Sequence, residues 1–376
     1  MNSNIKEKNK NITIIACYFG PKLGVGVFIE KLLDVLMPEL ISNGYRVNLI
    51  TNNNVLRNSP GLIVPLVKIV QPRLIKRSLF SKFYFLFVLP HLRIVKMSEK
   101  VLFTADSIIG FGLNQSISVV HDLNEFEFVS KFGKIRTFFR KQMIKRVMKH
   151  AEEIVVISDF VKQQVYRQFG KMKKDKRLHI IHSGITIKKD YLPATFEKED
   201  TPYFLIVGRI DPEGKKLYES VDIFLTYKKY HPEYKLKIVG GVNKFCEIKG
   251  KQFLQYISNI LDVEYLGYVS DENLDFLYKN AAATIFFSKF EGFGFPVLEA
   301  FLRGCPVITN SENEVNNELS FGKDIKISET EIKNPAAIDE KINLINQISK
   351  KELIGIAETF SWESAGKKYY KLLTSN

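Results

Sequence analysis

The chain has 376 residues, a length typical of two domains, and its 45% hydrophobic and 26% charged residues are normal for a soluble globular protein. Its formal net charge of +14 is unevenly spread, because residues 1–195 hold 32 Lys and Arg against 14 Asp and Glu, so the first half is expected to face something anionic. The three cysteines lie far apart without a C-x-x-C pair, which argues against a zinc module or a disulfide framework and is typical of the reducing cytosol.

Strand-like and helix-like segments alternate along the first half of the chain. Residues 12–19 and 45–51 have the β-branched composition of strands and flank a helical segment at 28–40, which makes a β-α-β unit. Further apolar strands are predicted at 116–122, 152–158 and 177–184. The pattern predicts a doubly wound α/β domain over residues 1–185, built like a Rossmann domain.

A polar stretch with charged residues, 186–200, is interpreted as a linker, and a second α/β alternation follows over residues 201–360. The predicted strands of this half are 203–208, 235–241, 263–269, 283–288 and 306–309. The predicted helices are 217–230, 247–260, 271–281 and 296–304. Two similar α/β halves therefore follow one another in the chain.

The most informative segment is FSKFEGFGFPVLEAFLRGCPVIT, residues 287–309. A strand ends at Ser288, and a glycine-bearing loop leads to Pro296, which is favoured at the first position of a helix. No Ser, Thr, Asp or Asn precedes that helix as a cap, so its first amides are left for a ligand, and such an end suits a diphosphate. The loop residues expected to bind it are Gly292, Phe293, Gly294 and Phe295.

Two glutamates bracket this loop. Glu299 is placed in the first turn of the helix, where a carboxylate can accept the two hydroxyls of a ribose, and Glu291 could hold a sugar beyond the diphosphate. The alternative is an ordinary α/β turn with two solvated glutamates, and a lone E-x7-E is a weak signal. Its coincidence with two glycines and a proline between strand and helix favours a nucleotide-sugar site.

A cationic element follows the first strand of the second half. Arg209 and Lys215 come after that strand, at the edge where open parallel sheets bind ligands. An arginine suits a bidentate phosphate contact and a lysine adds a point charge. Taken alone, the segment would be interpreted as a solvated charged turn.

These motifs resemble those of the family 4 retaining glycosyltransferases of the GT-B fold, and the resemblance covers nearly the whole chain. It is most specific in VGRIDPEGKK, LKIVGG, YLGYVSDENLDFLYKNA, EGFGFPVLEAFLRGCPVIT and the closing FSWESAGKKYY. The first half matches more loosely, with GPKLGVG, VVHDL and AEEIVVISDFVKQQVYRQFG. The resemblance implies two Rossmann-like domains facing across a cleft, with residues 361–376 forming a helix that crosses back to the first domain.

The resemblance also implies roles for single residues. Glu299 matches the ribose-binding glutamate, Glu291 the glutamate at the donor sugar, and Arg209 with Lys215 the pair that neutralises the diphosphate. In the first half, His121 matches a histidine near the reacting centre, and Gly24 a loop glycine whose backbone approaches the β-phosphate. A histidine after an apolar strand is otherwise often a polar residue with a local hydrogen bond, but the neighbouring Asp122 and the family match favour a catalytic role for His121.

The function expected from the resemblance is retaining transfer of a sugar from a UDP- or GDP-linked donor to a saccharide acceptor. The chain contains no D-x-D sequence, so we expect catalysis without a metal and no further cofactor. A lipid-linked acceptor in the synthesis of capsule, O-antigen or a similar cell-surface polysaccharide is favoured. The alternatives are a soluble acceptor, or a phosphorylase-like or epimerase-like sugar-nucleotide enzyme. The dinucleotide-binding fingerprint is incomplete and the P-loop motif is absent from the sequence. No nucleic-acid partner is expected, because the sequence contains no recognised nucleic-acid-binding motif.

The basic first half suggests an anionic membrane surface as a partner. Residues 131–149 carry eight Lys and Arg and no acid, and residues 68–100 carry eight more around the aromatic run at 79–89. That run is shorter than the roughly 20 residues of a spanning helix, and the charged N-terminus does not resemble a signal peptide. We therefore expect a cytoplasmic protein that is peripheral on the inner face of the plasma membrane, although both segments could equally be helices with solvated outer faces.

Overall fold

The computed structural model divides the chain into two compact units, one formed by Met1–Gly184 with Ser361–Asn376 and the other by Ile185–Phe360. The residues that the structure describes are 10–17, 24–51, 67–70, 87–104, 113, 115–123, 126, 133–170, 177–186, 195–197, 200–242 and 246–375.

The first unit contains a parallel sheet whose described strands lie in the order β3-β2-β1-β4-β5-β6-β7. Its elements, in chain order, are β1 (Asn11–Ala16), α1 (Gly24–Ser42), β2 (Arg46–Thr51), β3 (Val67–Val70), α2 (Arg93–Lys96), β4 (Lys100–Phe103), β5 (Ser116–Val120), α3 (Lys134–His150), β6 (Glu153–Val156), α4 (Asp159–Phe169) and β7 (Leu178–Ile180). Strands β4 and β5 are buried along their whole length, as expected of strands covered on both faces.

The second unit contains a parallel sheet whose described strands lie in the order β10-β9-β8-β11-β12-β13. Its elements are β8 (Tyr203–Val207), α5 (Leu217–Lys228), β9 (Lys235–Val239), α6 (Glu247–Ile257), β10 (Val263–Gly267), α7 (Asp271–Asn280), β11 (Ala283–Phe286), α8 (Phe295–Leu302), β12 (Val307–Asn310), α9 (Glu314–Ser320), β13 (Ile325–Ile327), α10 (Pro335–Asn343) and α11 (Lys350–Glu358).

In this second sheet, the strand order reverses between β8 and β11, which are paired neighbours. Ligands of open α/β sheets bind beyond the carboxyl ends of the strands at such a point, because the loops there diverge to opposite faces. The loop that follows β8 carries the two predicted cations, and the loop that follows β11 carries Glu291 and leads into helix α8, which contains Glu299.

The last helix, α12 (Trp362–Thr374), packs against α1 within the first unit. Phe28 of α1 contacts both Trp362 and Tyr369 edge to face. Gly366 lies so close to Val35 that a Cβ there would come within 2.7 Å of the valine side chain. The helix is therefore an integral part of the first unit.

The α/β class and the two sheets confirm the predicted fold, but several boundaries in the sequence prediction were wrong. Helix α1 begins at Gly24, four residues before the predicted start, and α8 begins at Phe295. Strands β3, β4 and β13 and the helices α2, α4, α9, α10 and α11 were not predicted. Within the described part of the chain, no helix combines the length and the apolar character needed to cross a membrane. The predicted aromatic run at 79–89 lies mostly outside the described residues.

Candidate active site

The loop after β8 presents the two predicted cations in different surroundings. Arg209 is exposed, whereas Lys215 is largely buried, with 18% of its side chain accessible. The turn between them is held by Asp211, whose backbone oxygen accepts from the amide of Lys215 at 2.9 Å and whose carboxylate accepts from the amide of Gly214 at 3.3 Å. Asp211 therefore fixes the direction in which Lys215 leaves the loop.

This loop requires glycine on the neighbouring strand. Gly240, at the end of β9, has φ of +142°, and a Cβ at that position would lie 1.7 Å from the carbonyl oxygen of Gly208. The close approach of the two backbones brings the start of the Arg209 loop against the end of β9. Only glycine fits such an approach without moving one of the two chains.

The loop after β11 brings a carboxylate to this lysine. Glu291 forms an ion pair with Lys215, and both side chains are largely buried. The two loops are also joined through their backbones, because the amide of Lys289 donates to the carbonyl of Gly214 at 3.2 Å. Lys215 also lies 5.2 Å from the ring centroid of Phe286, the last residue of β11. The structure therefore brings together two residues that are 76 positions apart in the sequence.

Helix α8 begins without a side-chain cap, as the sequence predicted. Gly294 occupies the N-cap position in the left-handed region, with φ of +95°, and as a glycine it provides no side-chain cap. Phe293 is buried and contacts Phe295 and Phe360 edge to face, so the glycine turn is packed against apolar rings. A helix start of this kind attracts anions through its amides and its dipole.

Glu299 lies one residue further into α8 than predicted. Because the helix starts at Phe295, Glu299 occupies its second turn, and the first turn contains no acidic residue. Its Oε2 accepts a hydrogen bond from the hydroxyl of Tyr278 on α7 at 3.1 Å. Burial raises the pKa of Glu299 above its ordinary value, while the Tyr278 hydrogen bond and the charge of Arg303 oppose that rise. A partly buried carboxylate of this kind accepts charge-assisted hydrogen bonds from hydroxyl groups.

The other two predicted site residues, His121 and Gly24, belong to the first unit. His121 follows β5, is buried, and its Nε2 lies 2.7 Å from the carbonyl oxygen of Thr104. A carbonyl only accepts, so Nε2 carries the hydrogen in this contact. The ring packs edge to face on Phe28 of α1, with 4.6 Å between centroids. Gly24 is the exposed first residue of the same helix, one turn before Phe28.

Three residues that shape the second-unit site were missed by the sequence interpretation. Asp211 was detectable, since Asp-Pro-x-Gly is a turn sequence in which the aspartate caps the following amides. Tyr278 and Arg303 could not be identified as site residues, because nothing in the sequence indicates that either side chain contacts Glu299.

Comparisons with known proteins find a family match within the second unit. Residues 188–353 match the family model described as glycosyl transferases group 1. The chain is 26% identical over 256 residues to the O-antigen chain mannosyltransferase RfbU of Salmonella typhimurium, covering 66% of this chain and 68% of that protein. It is 25% identical over 210 residues to the O-antigen chain mannosyltransferase B of Escherichia coli, covering 53% of this chain and 54% of that protein.

Solved structures of similar fold extend over almost the whole chain. WaaG, a glycosyltransferase involved in lipopolysaccharide biosynthesis, superposes with a TM-score of 0.68 at 14% identity and covers 97% of this chain and 100% of its own. Anabaena Alr3699/HepE, solved in complex with UDP and glucose, gives a TM-score of 0.70 at 14% identity with the same coverage. At this level of identity the likeness establishes the fold.

Proposed function

We propose that this chain, whose residues 188–353 match the family model of the group 1 glycosyl transferases, is a GT-B glycosyltransferase that moves a sugar from a UDP- or GDP-linked donor to a saccharide acceptor. The observation that carries the proposal is the meeting of Lys215 and Glu291 beside the uncapped start of α8, with Glu299 one turn further along that helix. This set offers a cation and amides for a diphosphate, and a carboxylate on each side for hydroxyl groups.

The chemistry follows from the charge of the leaving group. Breaking the bond between the sugar and a nucleoside diphosphate leaves negative charge on the phosphate oxygens, and preorganised donors stabilise it best. The amides at the start of α8 are fixed by the helix before the substrate arrives, whereas Lys215 turns to the phosphates from its ion pair with Glu291 and the exposed Arg209 closes on them. Removing one such donor typically lowers the rate by about 10²–10³. We propose that these groups act without a metal and that the anomeric configuration is retained by attack on the face from which the diphosphate leaves.

Lys215 and Glu291 are proposed to bind different parts of the donor, the lysine its diphosphate and the glutamate its sugar. In the structure the two side chains neutralise one another, so the attraction between them offsets the cost of removing each charge from water when no substrate is bound. When a nucleotide-sugar is bound, the ammonium group turns to the diphosphate and the carboxylate accepts the sugar hydroxyls. The ion pair is thus the resting state of the site.

The test measures the turnover of single variants with UDP- and GDP-linked sugars. Turnover is monitored as the release of nucleoside diphosphate, with and without acceptor. Glu299→Ala is expected to weaken nucleotide binding, because ribose contacts are alike in the ground and transition states. Glu291→Ala is expected mainly to lower kcat, because it acts at the sugar where charge develops. Glu358→Ala, an exposed carboxylate on α11, is the control. Wild-type kinetics in both site variants would refute the assignment, and sugar release only to phosphate would favour a phosphorylase.

We further propose that the acceptor is lipid-linked and belongs to a cell-surface polysaccharide. The support is chemical and comparative: the mannosyltransferases similar to this chain carry O-antigen in their names, and the first unit offers a surface suited to an anionic membrane. That surface is one side of α3, which contains seven Lys and Arg and no acidic residue.

The exposed side of α3 combines charge with aromatic rings. Phe138 and Phe139 are 58% and 53% exposed and contact one another edge to face, while Lys134, Lys145 and Lys149 are exposed on the same helix. The helix is anchored by its opposite side, where Ile144 and Val147 are fully buried. Like charges four residues apart destabilise a helix by about 0.2–0.5 kcal/mol per pair, which an anionic partner would relieve. Each basic residue beside anionic lipid contributes roughly 1 kcal/mol.

Sedimentation with vesicles tests this surface. Vesicles of phosphatidylcholine with phosphatidylglycerol are expected to bind the protein and vesicles of phosphatidylcholine alone to leave it in solution, with binding lost as salt rises through about 0.15–0.5 M. Replacing Lys145 and Lys149 by Glu, or Phe138 by Ser, should weaken binding, whereas Lys229→Glu with Lys351→Glu, exposed lysines of the second unit, should not. A protein that stays in the supernatant at low salt would refute the membrane proposal and favour a soluble acceptor.

A further inference from the structure

The hydroxyl of Tyr278 meets the carboxylate that we assign to the ribose. Tyr278 lies on α7 with 1% of its surface exposed, and its hydroxyl donates to Oε2 of Glu299 at 3.1 Å. Burial raises the pKa of Tyr278 well above its ordinary value, and the charge of Glu299 adds to that rise. The phenol therefore stays protonated and donates to Glu299 throughout the working range of pH.

The ring of Tyr278 is held in place from the neighbouring helix. The guanidinium of Arg303 lies over it, 5.7 Å from the ring centroid. Arg303 is itself fixed by two hydrogen bonds, one to the Asp275 carboxylate at 3.0 Å and one to the backbone oxygen of Glu299 at 3.1 Å. Helices α7 and α8 are thereby tied together around the Tyr278–Glu299 contact, which leaves the phenol little freedom to turn away.

The charged and titratable groups that face the Glu299 carboxylate come from both helices. Burial raises its pKa; Tyr278 and Arg303 lower it by hydrogen bonding and by charge, and Asp271 raises it. Removing the Tyr278 hydroxyl would leave burial and Asp271 opposed only by Arg303, so the carboxylate would hold its proton to higher pH.

We propose that Tyr278 is a positioning residue for donor binding: its hydroxyl fixes Oε2 of Glu299 so that the remaining acceptor positions of the carboxylate meet the ribose diol of the nucleotide. A carboxylate has about four acceptor positions, and the phenol occupies one of them, which leaves enough for two hydroxyl groups. The inference rests on the proposed role of Glu299 and adds the group that orients it.

The test is Tyr278→Phe, which removes one oxygen and keeps the packed ring. UDP, GDP and their 2′-deoxy counterparts are titrated by calorimetry over a range of pH. Affinity for the ribonucleotide is expected to fall about ten- to a hundredfold, as for the loss of a hydrogen bond to a charged group. The 2′-deoxy nucleotide should lose less, so the preference for ribose shrinks. The acid limb of the binding profile should move to higher pH, and kcat at saturating donor should change little.

Tyr203→Phe is the matched control, because Tyr203 is a buried tyrosine whose hydroxyl donates to the backbone of Leu277, next to Tyr278, at 2.8 Å. It should keep the ribose preference and the acid limb of the wild type. If Tyr278→Phe also keeps both while Glu299→Ala loses nucleotide affinity, Tyr278 only packs and the inference is overturned. Equal losses in Tyr278→Phe and Tyr203→Phe would overturn it as well. If Glu299→Ala retains affinity and ribose preference, the proposed role of Glu299 itself is wrong.

Discussion

Replacing Phe28 by leucine should weaken the first unit far more than the change in volume suggests. Phe28 is 2% exposed, and its ring lies edge to face against three others: His121 at 4.6 Å, Trp362 at 5.6 Å and Tyr369 at 6.3 Å between centroids. Each such pair contributes about 0.5–1.5 kcal/mol beyond the burial of area. Leucine keeps most of the apolar burial and loses all three ring contacts. We therefore expect the free energy of unfolding to fall by roughly 2–4 kcal/mol.

The protein contains its own reporter for this measurement. Trp362 is the single tryptophan of the chain and is 5% exposed, so its fluorescence in a urea titration follows the unfolding of the first unit. Phe103→Leu is the control, because Phe103 is buried in the same unit and has no aromatic partner among the described residues. We expect about 1 kcal/mol for that control, typical of a swap that roughly conserves volume. Equal losses in the two variants would refute the role given to the aromatic cluster.

Three further outcomes are expected. Burial raises the pKa of Glu299 above 4.5, so the ionised form is disfavoured in the folded state, and stability contributed by the protonated form is lost as pH rises through the raised pKa. Glu299→Gln should therefore be more stable than wild type at neutral pH but not at pH 4, and should bind nucleotide about tenfold or more weakly; parallel thermal unfolding profiles over pH would contradict this. Gly240→Ala, with its Cβ 1.7 Å from the Gly208 oxygen, should cost about 3 kcal/mol or more in urea unfolding, whereas Gly241→Ala, with open space, should fold normally. Turnover in excess EDTA should match turnover with Mg²⁺, and strict dependence on a divalent ion would show that the diphosphate is held by a metal.

The alternation of strands and helices could be predicted because long apolar strands and amphipathic helices leave a periodic pattern. The short elements could not: β13 has three residues and β4 begins with a lysine, Lys100, whose charge is paired with Glu152. Such strands are defined by their neighbours in the sheet, which a local pattern does not contain. Missing β4 had a consequence for the site, since Thr104, the hydrogen-bond partner of His121, directly follows that strand.

The candidate site shows the same limit. The uncapped helix start and the two glutamates followed from glycine, proline and spacing alone. The pairing of Lys215 with Glu291 joins two loops across the β8–β11 neighbours, and the position of Glu299 in the second turn depends on Gly294 adopting a left-handed conformation before Phe295. Those contacts arise from tertiary packing, so the sequence could name the residues but not their partners.

A crystal structure of the protein with the nucleoside diphosphate that it binds, UDP or GDP, tests the proposed donor site directly. We expect ribose hydroxyls within hydrogen-bond distance of Glu299, phosphate oxygens at the amides of residues 292–295, and Lys215 turned from Glu291 to the diphosphate. A nucleotide bound elsewhere in the second unit, with the Lys215–Glu291 pair intact and Glu299 in contact only with Tyr278, would contradict it.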